Sequence, residues 1–201
     1  MKKQVIVIHG GDTFETYDEY LDFLRGYKID IERYRNGKED WKPWLRKKLG
    51  GDYEVIQPIM PNKNNAQFSE WKLWFEKFVP FLNNEIILIG HSLGAVFLAK
   101  YLSENKFPKK IKAVFLVGAI YDKDDEGYNV VNFTLPANLD LQTETVYLYH
   151  SKDDPVVPFS ALEQYKKALP KAQIRVFDNR GHINQEEFPE LAQDILNLSP
   201  S

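Results

Sequence analysis

Glu85–Asn105 reads EIILIGHSLGAVFLAKYLSEN, and its pattern decides the fold. The apolar run ending at Ile89 predicts a strand over Glu85–Ile89, buried on both faces as parallel strands are. From about Leu93 to Ser103, the residues Ala95, Val96, Leu98, Ala99 and Leu102 supply the apolar face of a helix. Between them stands Gly90-His91-Ser92-Leu93-Gly94, a G-x-S-x-G pentapeptide. Five loosely specified positions recur by chance, but strand–turn–helix around a serine is the context a nucleophile elbow demands. The turn must be sharp for the hydroxyl to project from the sheet edge, and Gly90 and Gly94 leave room where strand and helix converge. The new helix also aims its first N–H groups at the place where an oxyanion would form.

Upstream, Gln4–Ile8 is a β-branched strand running into His9-Gly10-Gly11, a turn that can bring backbone N–H groups against a ligand. No G-x-G-x-x-G or P-loop follows, so the turn is not read as a phosphate cradle. Asp12–Asn36 is acidic and aromatic, with Phe14, Tyr17, Tyr20, Phe23, Tyr27 and Tyr34; Tyr17, Tyr20, Leu21 and Leu24 have helical spacing. A compact α/β unit does not need this insertion. It is read either as a lid over the site or as a helix packed on the surface. Trp41, Trp44, Leu45 and Leu49 predict a second helix, with Pro43 tolerated in its first turn and Gly50-Gly51 ending it. Tyr53–Pro58 is the next strand. Gln67–Leu82 is the next helix, with Trp71, Trp74, Phe75, Phe78 and Leu82 read as core.

Downstream, Lys112–Val117 is a strand closing in Gly118-Ala119, and Ile120–Asp140 has no periodicity and is expected as a second, smaller flap. Thr143–His150 and Ile174–Phe177 are strands; Ser160–Leu169 and Glu186–Leu198 are helices. This alternation predicts one α/β unit over residues 1–201, a mainly parallel sheet covered on both faces. Right-handed crossovers then bring every strand C-terminus to one edge, where sites of open α/β sheets lie.

Four chemical pieces follow predicted strands: His9-Gly10-Gly11, Ser92, Asp153-Asp154 and His182. A serine hydroxyl needs a base within hydrogen-bond reach, and that base needs an acid to fix its tautomer. The order serine, acid, histidine is that of an α/β-hydrolase triad. Among the four histidines, His182 follows a glycine between the last strand and last helix, where its ring can turn inward. Asp154 precedes Pro155, which holds its backbone extended; Asp153 and Asp122 are the other acids in reach. The oxyanion is expected on the backbone N–H groups of Leu93 and Gly11. His9, Gly10, His91, Phe14 and Tyr17 are expected to line the substrate pocket. No histidine or carboxylate spacing suits a metal, and no cofactor is expected.

Composition narrows the function. The 201 residues suffice for a substantial core, and a net charge of −3 gives no basic surface for nucleic acid. With Cys at 0 there is no disulfide framework or cysteine nucleophile, which suits a reducing cytoplasm, the expected location. The opening MKKQVIVIHGG has too short an apolar run for a signal peptide, and no stretch approaches a membrane span.

With these residues placed, VIVIHGG, IILIGHSLGAVFLAKYL, YHSKDDPVVP and FDNRGHIN together resemble the α/β-hydrolases. More narrowly they are similar to the small, nearly cap-less serine hydrolases that include retinoblastoma-binding protein nine and the YdeN-type bacterial esterases. The resemblance implies a three-layer fold with about six mainly parallel strands, a triad of Ser92, His182 and Asp154, and hydrolysis of a small-molecule ester through an acyl-enzyme. Two departures are visible: Asp12–Asn36 is longer than the corresponding loop, and Ala95 stands where many relatives carry glycine. The alternatives are an interaction protein using the aromatic segment on a vestigial site, and the same triad acting on amides or thioesters or transferring acyl groups. Oligomeric state is not fixed by the sequence.

Overall fold

A computed structural model describes residues 2–37, 39–121 and 130–198. Six strands, β1 (Lys3–Ile8), β2 (Tyr53–Ile56), β3 (Glu85–His91), β4 (Lys110–Val117), β5 (Val146–Ser151) and β6 (Gln173–Phe177), form one sheet in the order β2-β1-β3-β4-β5-β6. Every neighbouring pair is parallel. The buried runs of β3 and β5 follow from this, since helices cover both faces.

Side-chain alternation along the strands builds two cores. Ile6, Ile8 and Leu88 face one core with α4 (Phe68–Glu76), α5 (Leu93–Glu104) and α6 (Ser160–Ala168). Val5, Val7, Ile87 and Ile89 face the other, with α3 (Trp41–Leu49) and α7 (Pro189–Leu196). The aromatic insertion forms α1 (Tyr17–Gly26) and α2 (Ile31–Asn36). A capping box starts α1: Thr16 accepts from the Glu19 N–H, and the Glu19 carboxylate accepts from the Thr16 N–H. Helix α1 buries none of its residues; Tyr17 is 66 % exposed, and Tyr34 in α2 is 70 % exposed.

Several sequence expectations change in detail. The Gln67–Leu82 helix ends at Glu76, because Pro80 lies in a separate 3-10 turn over Val79–Phe81. Trp71, Phe75 and Leu82 are core, but Trp74 is 45 % exposed. In the expected flap, Val130 and Phe133 are fully buried, and Phe133 packs edge-on against Phe68 and Trp71. Asp122 lies outside the described residues. No described helix is long and apolar enough to cross a membrane.

The chain order places a switch point between β1 and β3: the connection from β1 leads outward to β2, and β3 returns to pair on the other side of β1. Crevices at such points are where open α/β sheets hold ligands. The loops leaving β1 and β3 there carry Gly10-Gly11 and Ser92.

Candidate active site

Ser92 sits between β3 and α5 with φ +55° and ψ −124°. That conformation costs a non-glycine residue roughly 1–3 kcal/mol and persists only where the surroundings enforce it. Here the Ser92 N–H donates to the Val117 carbonyl at the end of β4 (2.8 Å), and the Ser92 carbonyl accepts the first helical bond from Ala95 (2.9 Å). A Cβ on Gly94 would lie 2.4 Å from the Ile8 carbonyl oxygen, so only glycine lets α5 begin this close to β1. Leu93 opens the helix, and its N–H is one of the first four without an intrahelical acceptor.

The turn after β1 lies against Ser92. A Cβ on Gly10 would be 3.0 Å from Ser92 Cβ and 3.4 Å from its Oγ. Gly11 is closed in from behind by the Lys63 carbonyl, which also accepts from the Asp12 N–H at 2.8 Å. Both ring nitrogens of His9 are engaged by backbone. Its Nδ1–H donates to the Gly10 carbonyl (2.6 Å), and its Nε2 accepts from the Met60 N–H (2.9 Å). Both bonds require a neutral ring, and burial pushes the His9 pKa down accordingly.

His182 and Asp154 meet close to the β3–α5 turn, with the His182 ring 5.0 Å from that of His91. Nδ1–H of His182 donates to Asp154 Oδ2 at 2.8 Å; the histidine side chain is 11 % exposed and the aspartate side chain 0 %. Asp154 Oδ1 accepts from the N–H groups of Val156 (2.8 Å) and Val157 (3.0 Å), so each carboxylate oxygen has a fixed partner. Gly118, at φ +52°, makes room for the pair: a Cβ there would stand 3.3 Å from His182 Cε1 and 3.6 Å from Asp154 Oδ2. Among the described residues no hydrogen bond joins Ser92 Oγ to the imidazole.

Asp153 has a different post. Its Oδ1 accepts from Ser151 Oγ (2.5 Å) and from the Gly181 N–H (2.9 Å), and these bonds draw its pKa below the usual carboxylate range. It braces the loop that carries His182. His91, expected in the pocket, is instead 4 % exposed, and its Nε2–H donates to the His182 carbonyl at 2.9 Å. Burial, together with the nearby Lys42 charge, pushes its pKa well down. Phe14 packs with Tyr20 and Phe23 in the aromatic insertion, and Tyr17 stands in solvent against Tyr20. The insertion is anchored at its start, where the Asp12 N–H donates to the Lys63 carbonyl; α3, which follows it, is tied down by Trp41, whose Nε1–H donates to the Ile183 carbonyl (2.9 Å). The roles of Gly118, Asp153 and Trp41 were hidden in sequence. The one local signal was a glycine directly after a buried strand. Among the described residues, no group of three His, Cys, Asp or Glu is placed to hold a metal.

Residues 32–193 match the model of the serine hydrolase family. YdeN of Bacillus subtilis (strain 168) is 24 % identical over 193 residues, covering 93 % of this chain and 89 % of that protein. The crystal structure of the B. subtilis ydeN gene product superposes with a TM-score of 0.73, at 18 % identity and 98 % coverage of both chains. The meta-cleavage product hydrolase CumD of Pseudomonas fluorescens IP01 gives a TM-score of 0.62 at 14 % identity, covering 98 % of this chain and 90 % of that one. The thioesterase domain from the curacin biosynthetic pathway gives 0.57 at 13 % identity, covering 98 % and 91 %. At these identities the structural likenesses establish the α/β-hydrolase fold.

Proposed function

The chain belongs to the serine hydrolase family, and on that premise we propose that it cleaves small carboxylic esters through an acyl-enzyme, with Ser92 as nucleophile, His182 as general base and Asp154 as the acid that orients it. The observation that carries this reading is the His182–Asp154 pair at 2.8 Å, on the same sheet edge as a serine held at positive φ. Asp154 accepts from Nδ1, which leaves His182 Nε2 without a proton and able to take one. Ser92 Oγ attacks the ester carbonyl carbon as its proton passes to Nε2. The N–H groups of Leu93 and Gly11 receive the oxyanion, each contributing roughly 3–4 kcal/mol at the transition state. Collapse breaks the bond to the alcohol, which leaves with the proton from Nε2. Water then repeats the sequence on the acyl-enzyme and releases the acid.

The insertion over residues 12–36 is read as a wall or lid beside this site, because it starts at the β1 turn, where Asp12 is fixed on Lys63, and leads into α3, whose Trp41 is bonded to Ile183. Its aromatic side chains favour an apolar acyl or alcohol group. The same exposed aromatics support a second reading, a protein-binding surface on a hydrolase fold. Thioesters, amides and acyl transfer use the same elbow chemistry and are separated by substrate panels.

The test is hydrolysis of p-nitrophenyl esters from acetate to octanoate by the wild type and by Ser92→Ala. Turnover by the wild type, lowered about 10⁴-fold or more in the variant, is expected. Equal turnover by a folded Ser92→Ala protein overturns the assignment.

A further inference from the structure

The backbone beside His182 turns through the left-handed region on both sides, and on one of them it is strained. Gly181 and Ile183 both have φ +50°, and Ile183 is β-branched and fully buried. A β-branched residue in this region is an outlier that the surroundings must enforce. Side chains from other elements bond to four consecutive residues there. Ser151 Oγ accepts from the Arg180 N–H, Asp153 Oδ1 from the Gly181 N–H, and the His182 and Ile183 carbonyls accept from His91 Nε2–H and Trp41 Nε1–H, each at 2.9 Å.

We infer that His91 is a positioning residue that locks the base-bearing loop to the nucleophile turn. The inference rests on the proposed triad. His91 is the residue directly before Ser92, so one side chain ties the backbone of the nucleophile to the carbonyl of the base. No other of the four braces originates at the elbow. The ring is confined on both sides: Trp41 meets it edge-on at 5.9 Å, and the His182 ring lies 5.0 Å away. Burial keeps it neutral, so its single ring proton sits on Nε2, where the carbonyl needs a donor. Without that donor, the loop retains Trp41 and Asp153 but loses its link to the elbow. His182 then drifts relative to Ser92 Oγ, and displacements near 1 Å in such arrangements lower rates about 10²-fold.

The experiment compares wild type, His91→Phe, which fills the space without a donor, and His91→Gln, whose amide can reach the same carbonyl. Readouts are kcat and KM for p-nitrophenyl acetate, the rate of fluorophosphonate labelling, and the downfield proton resonance of the His182 Nδ1–H. The expected result for His91→Phe is a kcat and labelling rate lowered about 10- to 100-fold, KM within about two-fold, and a shifted or broadened Nδ1–H resonance. His91→Gln recovers most of the rate and the resonance. His91→Leu replaces the phenylalanine variant if that protein does not fold. Wild-type kcat in a folded donor-less variant, or no recovery in His91→Gln, overturns the inference. An unlabelled, inactive wild type instead overturns the triad reading on which it rests.

Discussion

Replacing Asp154 by Asn changes one atom and separates orientation of the base from the integrity of the loop. The carboxylate receives two amide N–H groups on Oδ1, at 2.8 and 3.0 Å, and His182 Nδ1–H on Oδ2, at 2.8 Å. In Asp154→Asn the amide oxygen stays with Val156 and Val157, because two buried donors need an acceptor there. The NH₂ group then faces His182 and can only donate. The imidazole answers by moving its proton from Nδ1 to Nε2, which removes the lone pair that would accept from Ser92. A wrong-tautomer base of this kind lowers kcat/KM about 10⁴-fold, or about 5.5 kcal/mol. The stability change is smaller. Two hydrogen bonds lose a charged acceptor, about 1 kcal/mol each, and at this chain length about 2 kcal/mol lowers Tm by about 4–8 °C. The assay is kcat/KM on the best p-nitrophenyl ester, with calorimetry on the same sample. A folded Asp154→Asn protein retaining more than about a tenth of wild-type kcat/KM would refute the role given to Asp154.

Three further outcomes are expected. Gly94→Ala puts a Cβ 2.4 Å from the Ile8 and 2.5 Å from the His9 carbonyl oxygens; it should lose about 1–3 kcal/mol in denaturant melts and label more slowly with fluorophosphonate, and an unchanged melt contradicts the close packing. His9, His91 and His150 are each held below the ordinary histidine pKa, chiefly by burial. The unfolded chain therefore takes up protons at these rings as pH falls through about 6.5, while the folded chain does so only at the lower, depressed values. Stability should be full above that pH and decline below it, by up to about 1.4 kcal/mol per pH unit per histidine. Urea midpoints that stay constant from pH 7.5 to 5.5 contradict this. Replacing residues 14–34 with a short glycine–serine linker should change acyl-chain preference across the ester panel; an unchanged preference in the folded variant removes the lid reading.

The sheet was legible because parallel strands covered on both faces must be continuously apolar, and β1, β3, β4 and β5 carry that mark in sequence. The elbow was legible for the same reason: its serine lies between an unmistakable buried strand and an apolar helix. Helix ends were less so. Pro80 cuts the α4 pattern short and Pro189 sets the start of α7, whereas hydrophobic spacing runs on past both. The six residues of α2 bear no apolar periodicity to read. At the site, sequence order brings Ser92, Asp154 and His182 to one edge. The braces on the His182 loop are long-range contacts: Trp41 reaches Ile183 across 142 residues and His91 reaches His182 across 91. Such pairs leave no local pattern, so His91 read as pocket lining when its buried ring packs against that of His182.

The central claim is that Ser92 is activated by an assembled base. The most direct measurement is labelling with a fluorophosphonate probe, read by intact mass and by peptide mapping, on the wild type and Ser92→Ala. The account predicts one adduct on the wild type, located on Ser92, and none on the variant. A folded wild type that takes up no probe, or an adduct that persists in Ser92→Ala, would contradict it.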